Sequence, residues 1–212
     1  MMNPETFARL HRLDEENNDH AALVAALRPR FERMANRHEN GTAPRAVSSF
    51  QLFQTPPALA ARLVAALELP DGARVLEPSA GLGRLLDALA PFCPSEVVAV
   101  DVSPACTGEL FRQERAGVTI KQRDFLDVLP AELGTFDAVV MNPPFHMRAD
   151  VRHILHALKF LRPGGRCAAL CLDTPQRTAA LRELADTWEE LPPETFRAEG
   201  TSVRTVLATF TA

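Results

Sequence analysis

The chain predicts an α/β fold with a doubly wound, mostly parallel seven-stranded sheet and an N-terminal helical extension. Three observations lead to it. From residue 71 onward, short apolar runs alternate with helical stretches, an order that requires crossover connections and a sheet covered on both faces. A glycine-bearing segment, VLEPSAGLG at residues 75 to 83, joins the first such run to the first helix. Two further runs near the end of the chain bring the expected strand number to seven.

Residues 1 to 48 read as the extension. FARLHRL and AALVAALRPRFERMA carry a helical pattern, as one broken helix or two short ones, before the polar stretch RHENGTAPRAVSS. In FQLFQTPPALAARLVAALELP a Thr-Pro start opens a helix, and Leu59, Leu63 and Leu67 recur down one face before Pro70. The alternation then runs ARVLEP (strand), GRLLDALAPF (helix), EVVAVDV (strand), PACTGELFRQE (helix), VTIKQRDF (strand), FDAVVMN (strand), VRHILHALKFL (helix) and GRCAALCL (strand). QRTAALRELADTW predicts one more helix, and ETFRAEG and VRTVLATFT predict a closing hairpin pair.

Composition bounds the function. The 212 residues are 46% hydrophobic and 24% charged, which suits one medium core with a short accessory segment. No apolar run approaches the ~18 residues of a membrane span, and the N-terminus lacks signal-peptide character, so no membrane role and a cytoplasmic location are expected. With 23 basic against 27 acidic residues the net charge is -4, which excludes a globally basic nucleic-acid coat and leaves room for a local basic patch. Cys93, Cys106, Cys167 and Cys171 have no paired spacing and read as small buried hydrophobes.

Ligands of doubly wound sheets collect beyond the carboxyl ends of the strands. Glu77, Pro78, Ala80, Gly81 and Gly83 occupy the first such end, where glycines permit a tight turn and a helix N-terminus supplies N–H donors. No Gly-Lys-Ser/Thr follows, which disfavours nucleoside triphosphate hydrolysis. Asp101, followed by Val102, ends the second strand where a ribose-binding carboxylate is expected, and Asp124-Phe125 offers an acceptor and an aromatic face at the third. After FDAVVM come Asn142, Pro143, Pro144 and Phe145. The Asn142 side-chain carbonyl and the Pro143 backbone carbonyl form a pair of acceptors suited to one exocyclic amino group, and Phe145 can stack on the attached ring. No metal site is expected: His153 and His156 share a helix without a third ligand. Arg148 and Arg152 are candidate phosphate contacts, and Arg197 and Arg204 candidate members of a basic rim.

Together these residues resemble the amino-methylating branch of the class I S-adenosylmethionine methyltransferases, a Rossmann-like fold, and in particular the DNA and RNA adenine-N6 methyltransferases. FQTP (Phe53, Thr55, Pro56) resembles the cofactor-gripping segment, VLEPSAGLG the glycine-loop motif, Asp101 and Asp124-Phe125 the ribose and adenine contacts, and NPPF the catalytic loop. The resemblance runs from about Phe53 to the C-terminus and implies a methyltransferase domain over residues 49 to 212. It implies S-adenosyl-L-methionine as cofactor, a DNA or RNA substrate, and Asn142 to Phe145 as catalytic residues, with Asn142 also touching the cofactor. His146 makes NPPFH, which resembles enzymes methylating guanine N2 of ribosomal RNA. Protein-glutamine methylation and a non-catalytic binding module of the same fold are the remaining alternatives. With a core of roughly 160 residues, the extension is too short for a large target-recognition domain, so relaxed specificity, a structured RNA or a protein partner supplying recognition is expected.

Overall fold

The computed structural model describes residues 54–197 and 203–212. The expected N-terminal extension lies outside the described residues. The seven strands form one sheet in the order β3-β2-β1-β4-β5-β7-β6: β1 (Arg74–Glu77), β2 (Glu96–Asp101), β3 (Val118–Gln122), β4 (Phe136–Met141), β5 (Leu161–Leu172), β6 (Thr187–Glu190) and β7 (Thr205–Thr211). β1 through β5 pair in parallel, and β7 runs antiparallel to both β5 and β6. The sheet therefore has the doubly wound, mostly parallel form that the sequence predicts.

Strand residues alternate between two apolar layers, as the two-residue period of a strand requires. Val75, Val97, Ala99, Ala138 and Val140 face one layer. Leu76, Val98, Val100, Val139 and Met141 face the other. Burial on both faces explains why the strands read as near-continuous apolar runs. On the first side, α1 (Pro57–Ala65) buries Leu59, Ala60, Leu63 and Val64 and packs on α2 (Arg84–Leu89). Pro57 is pre-shaped for the first helical turn, and Leu67, past the helix end, is buried with the same face. α3 (Pro104–Arg112) begins under an N-cap in which Ser103 Oγ accepts the Cys106 amide at 3.4 Å. A one-turn helix, α4 (Pro130–Leu133), precedes β4; α5 (Ala149–Ala157) and α6 (Pro175–Leu181) complete the set.

Several expectations are corrected. The helix expected over 176–188 stops at Leu181, and Thr187–Glu190 is the edge strand β6 instead. Asp186 N donates to Thr209 O, the Thr187 and Thr209 hydroxyls meet at 2.7 Å, and Trp188 rests on the second apolar layer, so pairing with β7 outweighs helical pattern. ETFRAEG is not the hairpin strand: Thr195 N and Arg197 N close turns onto Pro192 and Glu194, while residues 198–200 lie outside the described residues. The third strand ends at Gln122, which leaves Asp124-Phe125 in a 3-10 turn. β5 begins at Leu161 rather than Gly165. Cys93 is exposed, in a left-handed turn after Phe92, whereas Cys106, Cys167 and Cys171 are buried as expected.

Candidate active site

The carboxyl ends of β1, β2 and β4 open onto one cleft of ≈ 370 Å³. At the end of β1, Gly81 and Gly83 have φ of 52° and 87°, in the left-handed region that favours glycine. A Cβ at Gly83 would also lie 2.8 Å from Arg115 Nη2 and 2.9 Å from Leu110 Cδ2. Both requirements let the chain reverse from β1 into α2 within six residues. The reversal sets the Gly81 amide on Asp101 Oδ2 at 2.8 Å, while Ser103 N donates to Asp101 Oδ1 at 2.7 Å. Asp101 is thus oriented by two backbone donors and lines the cleft, and each carboxylate oxygen keeps a further lone pair able to accept from a ligand. Burial raises its pKa, and the two amide donors pull it back.

Glu77 is 1% exposed, and its Oε2 has no hydrogen-bond partner among the described residues. Burial first, and then the Asp101 carboxylate, push Glu77 well above the usual carboxylate range. A buried acceptor without a partner, at the floor of a cleft already lined by a second carboxylate, is suited to a ligand that carries positive charge and donors.

On the β2–β3 side, Val102 is 66% exposed and supplies an apolar wall. Asp124 Oδ1 accepts the Leu126 amide at 3.0 Å and caps the turn, yet Asp124 still lines the cleft. Phe125 departs from the expectation of an open stacking face. It is 2% exposed, with its ring 4.8 Å from His156, 5.3 Å from Phe160 and 5.8 Å from His153, so the interior takes most of its surface.

At the end of β4 the Asn142-Pro143-Pro144-Phe145 turn forms the far wall. Asn142 Nδ2 donates to Thr55 Oγ1 at 3.1 Å, which fixes the nitrogen end of the amide. Phe145 is held in the first apolar layer and still borders the cleft. Its carbonyl accepts from Arg177 Nη2 at 2.7 Å, and Arg177 Nε in turn rests on Asp150 Oδ2 at 2.6 Å.

The cleft brings together Thr55, Glu77, Pro78, Ala80, Gly81, Asp101, Val102, Asp124, Phe125 and Asn142 to Phe145 from the sequence-based set. Two members act indirectly. The Pro56 carbonyl caps α1 by accepting the Ala60 amide, and Gly83 shapes the reversal without lining the cleft. Phe53 lies outside the described residues. Of the candidate phosphate contacts, Arg152 borders the cleft and Arg148 does not; the exposed His146 also borders it, and the basic-rim candidate Arg204 is committed to Asp173 and Glu190 at 3.3 and 3.7 Å. Sequence reasoning missed Ser79, whose Oγ lies 3.4 Å from His153 Nδ1. It also placed His153 outside the site, yet that ring borders the cleft, and burial pushes its pKa down to about 4. Asp150 and Arg177 were missed too; the one available signal was a pair of charged residues within apolar-patterned segments.

A family profile described as a methyltransferase domain matches residues 51–201, well over half of the sequence. The chain belongs to the methyltransferase domain family. It is a class I methyltransferase enzyme, and its cofactor is S-adenosylmethionine. The unpartnered Glu77 acceptor, the oriented Asp101 carboxylate and the glycine reversal fit that cationic nucleoside. The methyltransferase resembles solved structures at low identity. Thermus thermophilus TrmN has a TM-score of 0.59 at 22% identity over 83% of this chain and 53% of its own, so this chain spans about half of TrmN. The N-methyltransferase NodS from Bradyrhizobium japonicum, in complex with S-adenosyl-L-homocysteine, has a TM-score of 0.60 at 17% identity, covering 79% of this chain and 94% of that one. An RNA methyltransferase from Salinibacter ruber, also in complex with S-adenosyl-L-homocysteine, has a TM-score of 0.53 at 16% identity, covering 74% and 92%. These likenesses establish the fold. No curated protein matches the sequence.

Proposed function

We propose that this methyltransferase methylates the exocyclic N6 amino group of adenine in DNA or RNA. The observation that carries the reading is the Asn142-Pro143-Pro144-Phe145 turn at the carboxyl end of β4, with the Asn142 amide nitrogen held by Thr55 on the wall of the cofactor cleft. When bound, S-adenosylmethionine supplies a methyl group on a sulfonium, ready for direct displacement. The chain's part is to place the acceptor nitrogen. The target base leaves its stack and offers its two amino hydrogens to Asn142 Oδ1 and the Pro143 carbonyl. Those acceptors align the nitrogen lone pair and stabilise the positive charge that develops on it during transfer; one amino hydrogen then leaves as a proton to solvent, giving the neutral methylamino product and S-adenosylhomocysteine. No cysteine nucleophile is required, and burial pushes the Cys167 and Cys171 thiols up to about 12, far from thiolate.

Thr55, Glu77, Pro78, Ala80, Gly81, Asp101, Val102, Asp124, Phe125 and Asn142 are proposed as the cofactor contacts. Pro56, Gly83 and Phe53 belong to the same segments. Residues 1 to 48 are proposed as an accessory segment, with target recognition supplied by a partner protein or by RNA shape. A second reading, guanine N2 in RNA, is favoured by His146, which is exposed and borders the cleft directly after the turn.

The test is incubation with methyl-labelled cofactor and separate DNA, RNA and protein pools, followed by nucleoside and peptide mass analysis. N6-methyladenine is the expected product. N2-methylguanine would favour the second reading, and methylglutamine would overturn both. At saturating cofactor, Asn142→Ala should lose about 10²- to 10³-fold in turnover; normal turnover would refute the assignment.

A further inference from the structure

We infer that Arg177 is a positioning residue for the amino-accepting turn, acting from α6 through the Phe145 carbonyl and seated on a buried carboxylate. The inference rests on the amino-methylation reading above.

Asp150 and Arg177 form an ion pair at 2.6 Å with side chains 0% and 10% exposed. Desolvating two charges costs more than a surface pair returns, and well-packed apolar side chains of the same size commonly stabilise a fold as well or better. Such a pair asks for an explanation beyond stability. The geometry supplies one, because the pair links the end of β5 to the last residue of the active-site wall. Arg177 Nη2 donates to Phe145 O at 2.7 Å, and Arg177 Nη1 to Thr174 Oγ1 at 3.3 Å. Asp150 Oδ2 also accepts the Leu172 amide at 3.1 Å, which ties the network to the end of β5.

The turn is consequently pinned at both ends. Asn142 is held by Thr55 at 3.1 Å, and Phe145 by Arg177. The residues between them are Pro143 and Pro144, whose rings already fix φ near −65°. With both ends anchored and both intervening φ angles fixed, the Pro143 carbonyl has little freedom left to turn. That carbonyl is one of the two acceptors assigned above, so Arg177 governs its aim without touching substrate. The planar, forked guanidinium can serve Asp150, Thr174 and Phe145 together, which a lysine ammonium on a flexible stem cannot reproduce.

The test uses the full chain and compares wild type, Arg177→Lys, the charge-free double variant Asp150→Asn/Arg177→Gln, and Asn142→Ala. Arg177→Lys keeps a cation for Asp150 and protects the fold; the double variant removes both charges together. Three readouts are taken: calorimetric affinity for S-adenosylhomocysteine, hydrogen exchange of amides in residues 145 to 149 against those of α2, and kcat and KM on the nucleic-acid pool that wild type methylates. In Arg177→Lys we expect kcat to fall about 10- to 100-fold, with homocysteine-cofactor affinity within about twofold and faster exchange confined to residues 145 to 149. The double variant should behave the same way.

If Asn142→Ala loses turnover while Arg177→Lys and the double variant keep wild-type kcat and exchange, the positioning role is wrong and the amino-methylation reading stands. If Asn142→Ala itself keeps turnover, that reading fails first. Exchange that rises equally in α2, or cofactor affinity that falls in step with kcat, would reduce Arg177 to a general structural residue and overturn the inference. Exchange in residues 145 to 149 that stays at the wild-type rate would overturn it independently of any substrate.

Discussion

Glu77 and His153, both on the cleft, carry opposite pH signatures. The folded chain raises Glu77 above its ordinary 4.5, so it retains a proton that the unfolded chain gives up. Its contribution to stability is full below 4.5 and is lost as pH rises through the raised folded value. The ligand-free protein should therefore lose thermal stability across that window, and Glu77→Gln should flatten the loss; an unchanged slope in a melting series would contradict the burial argument. Binding a cation in the cleft favours the ionised carboxylate, so cofactor binding should release a proton, read by calorimetry in buffers of different ionisation enthalpy. His153 behaves in reverse. Its folded pKa of about 4 lies below 6.5, so its contribution is present above 6.5 and lost as pH falls through 4. The shift bounds that contribution at about 3 kcal/mol. His153→Gln should make the acid limb of the stability curve shallower, measured by urea midpoints between pH 4 and 7.

At the scale of elements, α1 shows how packing serves the site. Leu63 and Val64 are fully buried between α1 and the sheet, and Thr55 sits two residues before the helix starts. Leu63→Ala should cost about 2–5 kcal/mol in denaturant unfolding through the cavity it leaves. The central strands were readable from the amino-acid string because both faces are buried, and VLEPSAGLG and NPPF were readable because glycine and proline impose backbone geometry wherever they occur. β6 was not. Its exposure pattern leaves only Trp188 half-covered, and an exposed edge strand offers little apolar signal to separate it from a helix. Phe125 borders the cleft but is not the open face the sequence suggests, because the neighbours that cover it, His156 and Phe160, arrive from a helix and turn more than 30 positions later. Asp150 and Arg177 lie beyond local pattern for the same reason: 27 residues separate them, and only the packing of α5 against α6 brings them together.

For the whole molecule, the net charge of -4 means that attraction to the proposed nucleic-acid substrate would have to come from a few local cations. Arg152 borders the cleft, exposed and with no carboxylate partner among the described residues. On the proposed nucleic-acid reading, Arg152→Ala should weaken substrate binding and lower the slope of log affinity against log salt by about one unit, without changing cofactor affinity. An unchanged slope would remove Arg152 from the substrate path.

The two tethers of the Asn142–Phe145 turn reach in opposite directions along the chain, 87 residues back to Thr55 and 32 residues forward to Arg177. Chain order thereby sets the order in which the two anchors are synthesised. A nascent polypeptide that has already produced the glycine reversal and the turn still lacks one of its two anchors, and gains it only after β5 and the start of α6 have left the ribosome. The residues of β1 and β2 proposed to contact the cofactor precede the turn in the chain, so every proposed cofactor contact is synthesised before the second anchor of the acceptor wall.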